Sequence, residues 1–201
     1  MLSLCDESGI MGQPWRLAGY RTVQVDPLLA DGADGYACKL EDCLPEIHAL
    51  CDSGSVAFVA AFPPCTDLAS SGARWWRAKA KKDPLFQKKA ADFAKLCASI
   101  GERSGAPWFV ENPVGRLSSL WRRPDHWFNP CDFTAYCPSD NYTKKTGLWA
   151  GGGFVMPLPK RVASLPKPDS RIHRHPGGAG RARFRSKTPS GFARAVFVAN
   201  A

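Results

Sequence analysis

The chain opens Met1-Leu2-Ser3-Leu4-Cys5-Asp6-Glu7-Ser8-Gly9-Ile10-Met11-Gly12-Gln13-Pro14-Trp15-Arg16-Leu17-Ala18-Gly19-Tyr20-Arg21-Thr22-Val23-Gln24-Val25-Asp26. Residues 1–5 are a short apolar run. A polar turn with Gly9 and Gly12 follows, Pro14-Trp15 leads toward Gly19, and residues 21–25 form a second run that ends at Asp26. The order is strand, glycine-containing loop, short helix, strand, acid. It continues downstream with a helix over 41–50, a buried strand over 56–60, a long helix over 84–102 and a strand over 108–110 ending at Glu111. In the long helix Leu85, Phe86, Ala90, Phe93, Ala94, Leu96 and Cys97 take the apolar positions. Short apolar strands separated by helices predict an α/β fold, a mostly parallel sheet with helices on both faces. At 201 residues one domain with one sizeable core is expected.

After residue 125 the pattern weakens into aromatic, proline- and glycine-rich sequence. A strand is expected within 148–156, an extended basic loop over 157–189, and an amphipathic helix over 190–200 started by Thr188-Pro189. The expected organisation is a catalytic core over 1–156, a reduced substrate-binding segment over 157–189, and a C-terminal helix over 190–201 packing back on the core. The charge is divided in the same way. Residues 1–159 hold 17 basic and 17 acidic side chains, whereas residues 160–201 hold 10 basic side chains against Asp169 alone. A basic tail with Arg181, Arg183 and Arg185 alternating after His173 and His175 suits phosphates, although a solvated surface explains the charge equally well.

Eight cysteines without a secretory leader predict reduced thiols. They form no Cys-x-x-Cys pair, and Cys131, Cys137 and His126 lack a spacing that specifies zinc, so no metal is expected. The longest apolar stretch, 56–64, is about half of what a membrane-crossing helix needs. A cytoplasmic protein without a membrane is therefore expected.

Every predicted strand is followed by polar or reactive groups: Asp6 and Glu7, Asp26, Cys65, then Glu111 and Asn112. Parallel sheets bind ligands at those ends. In Phe62-Pro63-Pro64-Cys65-Thr66-Asp67 two prolines forbid a helix before the cysteine, which holds its sulfur at a strand end. A thiol so placed is a nucleophile if something takes its proton, and otherwise a small hydrophobe. In Phe109-Val110-Glu111-Asn112-Pro113 a carboxyl in a desolvated site can keep or donate a proton near neutral pH, or serve as a cap or ion-pair partner. Together the two groups could attack one side of an aromatic ring while protonating a ring nitrogen.

These motifs resemble those of the DNA cytosine methyltransferases that act on carbon 5. Pro63-Pro64-Cys65 is similar to the family's catalytic Pro-Pro-Cys, and Glu111-Asn112-Pro113 to its Glu-Asn-Val. Residues 2–9, Ala18-Gly19-Tyr20 and Asp26 resemble a divergent form of its cofactor loop. The resemblance covers residues 1–120 and implies a Rossmann-like fold that binds S-adenosylmethionine. It implies that Cys65 adds to carbon 6 of the pyrimidine and that Glu111 protonates or hydrogen-bonds nitrogen 3. Asn112 would orient the glutamate or hold the cysteine loop, which Pro64 and Thr66 shape beside the substrate. Cys5, Asp6, Glu7, Ser8, Gly9, Asp26 and Pro63 would line the cofactor site, joined by Thr188 and Phe192 from the C-terminal segment, where Phe192 also suits plain sheet packing.

The family's Gln-x-Arg-x-Arg segment is missing in that form. Arg181, Arg183 and Arg185, or Lys144 and Lys145, are the candidate replacements at the substrate. Only residues 157–189 stand where a target-recognition region would lie, which implies low sequence specificity, a partner subunit or a smaller substrate. DNA or a pyrimidine nucleotide is thus the expected partner. A non-catalytic nucleic-acid-binding relative and a cysteine hydrolase are the other readings, the latter weakened by the lack of a histidine near Cys65 in sequence. Trp75 and Trp76, followed by Arg77, Lys79, Lys81 and Lys82, read either as a lid that covers a base or as a helix with a basic outer face.

Overall fold

The computed structural model describes residues 1–30, 32–174 and 185–201. Seven strands form one sheet: β1 (Leu2–Leu4), β2 (Val23–Val25), β3 (Gly35–Tyr36), β4 (Val59–Ala61), β5 (Trp108–Pro113), β6 (His126–Phe128) and β7 (Thr146–Gly151). Their spatial order is β3-β2-β1-β4-β5-β7-β6. β1 to β5 are parallel, and β7 runs antiparallel to both β5 and β6, so one strand of seven is reversed. The chain winds outward from β1 to β3 and then returns to place β4 on the other side of β1. Such a reversal opens a crevice at the carboxyl ends of the two strands.

β1, β2 and β4 are buried along their whole length, as expected of strands covered on both faces. Alternate residues serve opposite faces. Leu2, Leu4, Val59, Ala61, Trp108 and Val110 join the core beneath α2 (Leu44–Asp52) and α4 (Phe86–Ser104). Ala60, Phe109 and Leu148 join a second core with Trp15 of α1 (Gln13–Leu17) and Phe192, Ala195 and Val196 of the C-terminal helix (Ser190–Asn200). Phe192 stacks on Phe128 with ring centroids 3.9 Å apart and leans on Phe109 and Phe133.

The differences from the expected boundaries have physical causes. The buried strand is Val59–Ala61 rather than 56–60. The helix expected over 41–50 begins as a tight turn, Leu40–Cys43, and becomes regular at Leu44–Asp52, where Pro45 suits the first turn. The long helix runs Phe86–Ser104 and stops at Gly105 in a left-handed conformation. β5 extends through Pro113 because β7 pairs with it as far as Pro113 opposite Thr146, so Glu111 and Asn112 lie within a strand. The strand expected within 148–156 is Thr146–Gly151. β3, β6 and α5 (Leu117–Leu120) are too short to carry a period, and the sequence reading passed over them. The helix expected over 190–200 is present as Ser190–Asn200, and the buried Asp140 carboxylate accepts from Gly191 N (2.7 Å) in its first turn.

Within the expected basic loop, backbone bonds join Lys160 to Asp132 and Ala135, and Asp169 to Thr143. Among the described residues no helix is long and apolar enough to cross a membrane.

Candidate active site

Two loops meet at the crevice. The first follows β1 and is held by buried polar groups. The Asp6 carboxylate accepts Ser3 Oγ (2.8 Å), Ser8 Oγ (2.8 Å) and Gly9 N (2.9 Å). Gln24 Nε2 donates to the Asp6 carbonyl (2.9 Å), and an Arg16 guanidinium nitrogen donates to the Gly9 carbonyl (2.7 Å). Gly9 has φ +62°, which favours glycine, and a Cβ there would also lie 2.8 Å from the Gln24 amide and push it off its bond to Asp6. Cys5 also takes a positive φ, +57°, with its free thiol beside that of buried Cys97, whose pKa it raises. Cys5 therefore offers the crevice backbone, and Asp6 is a loop organiser whose oxygens are already engaged.

At the next strand end, Asp26 Oδ1 accepts Leu28 N (2.8 Å). Burial raises the Asp26 pKa above the ordinary carboxylate range, the Leu28 amide opposes this, and the charges of Glu7 and Asp6 push it further up. These three carboxylates thus share one neighbourhood at the ends of β1 and β2. Such a site suits a ligand bearing hydroxyl donors and positive charge.

The second loop follows β4. Pro63 is buried, whereas Pro64, Cys65 and Thr66 are exposed. Residues 108 and 110 face α4 and residue 109 faces the C-terminal helix, so alternation sends Asn112 and Glu111 to opposite sides of β5. Asn112, fully buried, donates from Nδ2 to the Pro63 carbonyl (3.1 Å). Of the two roles implied for it, this bond supports holding the cysteine loop. Its Oδ1 is buried without a hydrogen-bond partner. A backbone clamp adds Ser70 N to Val114 O (3.0 Å) and Arg116 N to Leu68 O (2.8 Å). Gly115 sits so close that a Cβ would come within 2.0 Å of the Leu68 carbonyl oxygen.

Glu111 lines a narrow cleft with Phe62, Phe128, Lys144, Ser186, Thr188, Pro189 and Phe192. Lys144 Nζ stands 3.5 Å from Glu111 Oε1, with both side chains largely buried. The antiparallel pairing explains this meeting, because the start of β7 lies beside the end of β5. Lys145 instead places its ammonium 5.1 Å from the centre of the Trp127 ring.

Burial raises the Cys65 pKa although the residue reaches solvent, and Glu111 raises it further, while Lys144 and Arg185 lower it. Arg185 also donates to Ser71 Oγ (3.0 Å), which ties the C-terminal segment to the turn after the cysteine. The structure thus brings Cys65, Glu111, Lys144, Arg185 and Thr188 to one end of the sheet. Phe192 touches the cleft but is 1% exposed within the aromatic stack. His175, Arg181 and Arg183 lie outside the described residues. Cys131 is buried, Cys137 meets Ser139, and among the described residues no three metal-ligating side chains are placed so that they could hold one ion.

Ser3, Arg16 and Gln24 escaped the sequence reading. Their signal was polarity at positions 3 and 24, inside strands that are otherwise apolar and too short to reach solvent. The chain was compared with known proteins: no family model matches it, and no curated protein does.

Proposed function

We propose that this chain is an S-adenosylmethionine-dependent methyltransferase that modifies carbon 5 of cytosine in DNA through a covalent bond between Cys65 and carbon 6. The observation that carries the reading is the joining of two motifs distant in sequence. Cys65 follows β4, Glu111 lies near the end of the adjacent β5, and Asn112 ties the strands together through the Pro63 carbonyl. The strand order, with its reversal beside β1, supports the Rossmann-like methyltransferase fold that the resemblance implies.

The residues around the first crevice fit the cofactor. Asp26 and Glu7 offer acceptors for ribose hydroxyls, and the three neighbouring carboxylates favour a cationic ligand. When bound, the cofactor supplies an electrophilic methyl group on a sulfonium. The chain's residues prepare the base to receive it. Cys65, as thiolate, bonds to carbon 6, and Glu111 protonates or hydrogen-bonds nitrogen 3, so electron density gathers at carbon 5. Carbon 5 takes the methyl group as its former carrier leaves as a neutral thioether. Water then removes the carbon 5 proton, and that electron pair re-forms the double bond as the sulfur–carbon 6 bond breaks, which returns the thiolate while the nitrogen 3 proton goes back to Glu111. Lys144 and Arg185 balance the negative charges of Glu111 and the thiolate.

The test is transfer of radiolabel from methyl-labelled cofactor to duplex DNA, single-stranded DNA, RNA and pyrimidine nucleotides, with Cys65→Ala as control. Label on DNA cytosine that is lost in the control is the expected result. Exclusive label on a free nucleotide overturns DNA as substrate, and neither label nor cofactor binding favours a non-catalytic binding protein.

A further inference from the structure

Beyond the crevice lies a surface that the proposed chemistry does not use. Residues 70–75 form a 3₁₀ turn, followed by α3 (Trp76–Lys82). Neither element contains a wholly buried residue; Trp76 is half-buried with its Nε1 enclosed, so packing accounts for that ring but not for Trp75 and the cations around it. From 70 to 82 the sequence carries Arg74, Arg77, Lys79, Lys81 and Lys82 and no acid. Lys79 is paired with Asp67, and Gln87 also anchors the Asp67 carbonyl, so one end of the segment is fixed. Arg74, Arg77, Lys81 and Lys82 are exposed. Among them stands Trp75, 57% exposed, with the Arg74 guanidinium 5.0 Å from its ring centre.

The segment is tied to the nucleophile. Leu68 and Ala69 close a turn onto the Cys65 carbonyl, and Ser71 receives Arg185, one of the cations that lower the Cys65 pKa. At about 2 Å of rise per residue, the six residues of the turn span about 12 Å. An exposed indole among cations suits a nucleic-acid strand: phosphates meet the cations, and an unpaired base stacks on the ring whatever its identity. In a duplex the base faces are already stacked on one another, so an indole platform has its greatest use on a single strand.

We propose that residues 70–82 form a docking surface for single-stranded DNA, with Trp75 stacking on a base that neighbours the target and Arg74, Arg77, Lys81 and Lys82 meeting its phosphates. The inference rests on the DNA-acting reading above and extends it by naming the strandedness of the substrate and the surface that holds it.

The experiment measures binding by the full chain, without cofactor, of a fluorescently labelled 12-nucleotide single-stranded DNA. Competitors are the matching duplex, the same sequence in RNA, and cytidine monophosphate. Trp75→Ala is expected to weaken binding about tenfold, and Trp75→Phe to restore it to within about threefold. Replacing Arg77, Lys81 and Lys82 together by alanine should reduce the slope of log K against log salt by about 2. Because all these side chains are exposed, circular dichroism should show every variant folded. Unchanged affinity in Trp75→Ala, duplex binding as tight as single-strand binding, or tighter binding of the RNA overturns the proposal. Trp75-dependent binding without methyl transfer supports this surface while removing the catalytic reading. Transfer to duplex with Trp75→Ala binding like wild type does the reverse.

Discussion

The loops after β1 and β4 leave the same end of the same sheet, yet they are built in opposite ways. The first is tied down by a dense set of side-chain bonds: Asp6 of the loop, Gln24 of β2 and Arg16 of α1 satisfy the backbone and hydroxyls around Gly9, and Asp6 is only 4% exposed. The second is held at fewer points, by Asn112 and the strand-like clamp at 114–116 from β5 and the chain after it, and by the Asp67–Lys79 pair within the loop. Beyond Ala69 no residue is wholly buried until α4. A rigid, satisfied loop suits a small ligand whose shape does not vary. An exposed segment held at a few points suits a polymer that must be admitted, covered and released.

The sharpest way to break this contrast is Cys65→Ala. If the second loop serves chemistry rather than packing, methyl transfer falls by at least about a thousandfold. The melting temperature should change little, because an exposed side chain contributes little to the core. A stability loss resembling that of a core substitution, with activity retained, would return Cys65 to the role of a small hydrophobe.

Asp6→Ala should do the opposite. It removes the acceptor of two buried bonds and a half-buried one and should cost about 2–4 kcal/mol, seen as a shift in the denaturant midpoint. Cofactor binding measured by calorimetry should fall with it, while single-stranded DNA binding should not. Asn112→Ala should fall between the two. It leaves the Pro63 carbonyl without its buried donor at a cost of about 1–2 kcal/mol, and it loosens Cys65. A tenfold or larger drop in kcat with little change in KM would mark Asn112 as a positioning residue. A loss of stability alone would mark it as structural.

What the sequence made legible follows the same division. Residues 1–26 and the two strand-end motifs could be read because a parallel strand, its loop and the reactive group after it are contiguous. The C-terminal helix was legible from its apolar spacing. Lys144 was visible only together with Lys145, as an alternative to the arginines. Its meeting with Glu111 depends on the antiparallel seating of β7 beside β5, which no local pattern announces. Gln24 went unread because its partner, the Asp6 carbonyl, is 18 residues away, and Ser3 because one polar residue in a three-residue strand makes no local pattern. β3 and β6 went unread because two or three residues cannot display a period.

The smallest effect separates the electrostatics of the second loop from its shape. Burial and Glu111 hold the Cys65 thiol above its usual range against Lys144 and Arg185. Its alkylation by iodoacetamide, followed residue by residue in mass spectrometry, should therefore rise with pH through a midpoint above that of an ordinary thiol. Glu111→Gln keeps the side chain's size and removes a negative charge, which makes the thiolate less costly. The midpoint should move to lower pH, and labelling at pH 7.5 should quicken a few-fold. Lys144→Met removes a positive charge and should move the midpoint upward. The two shifts have opposite signs although both variants break the same ion pair, so a loop that merely loosened would move both rates the same way. Opposite movement identifies Glu111 and Lys144 as charges that act on the sulfur, and parallel movement reduces their pair to a strut between β5 and β7.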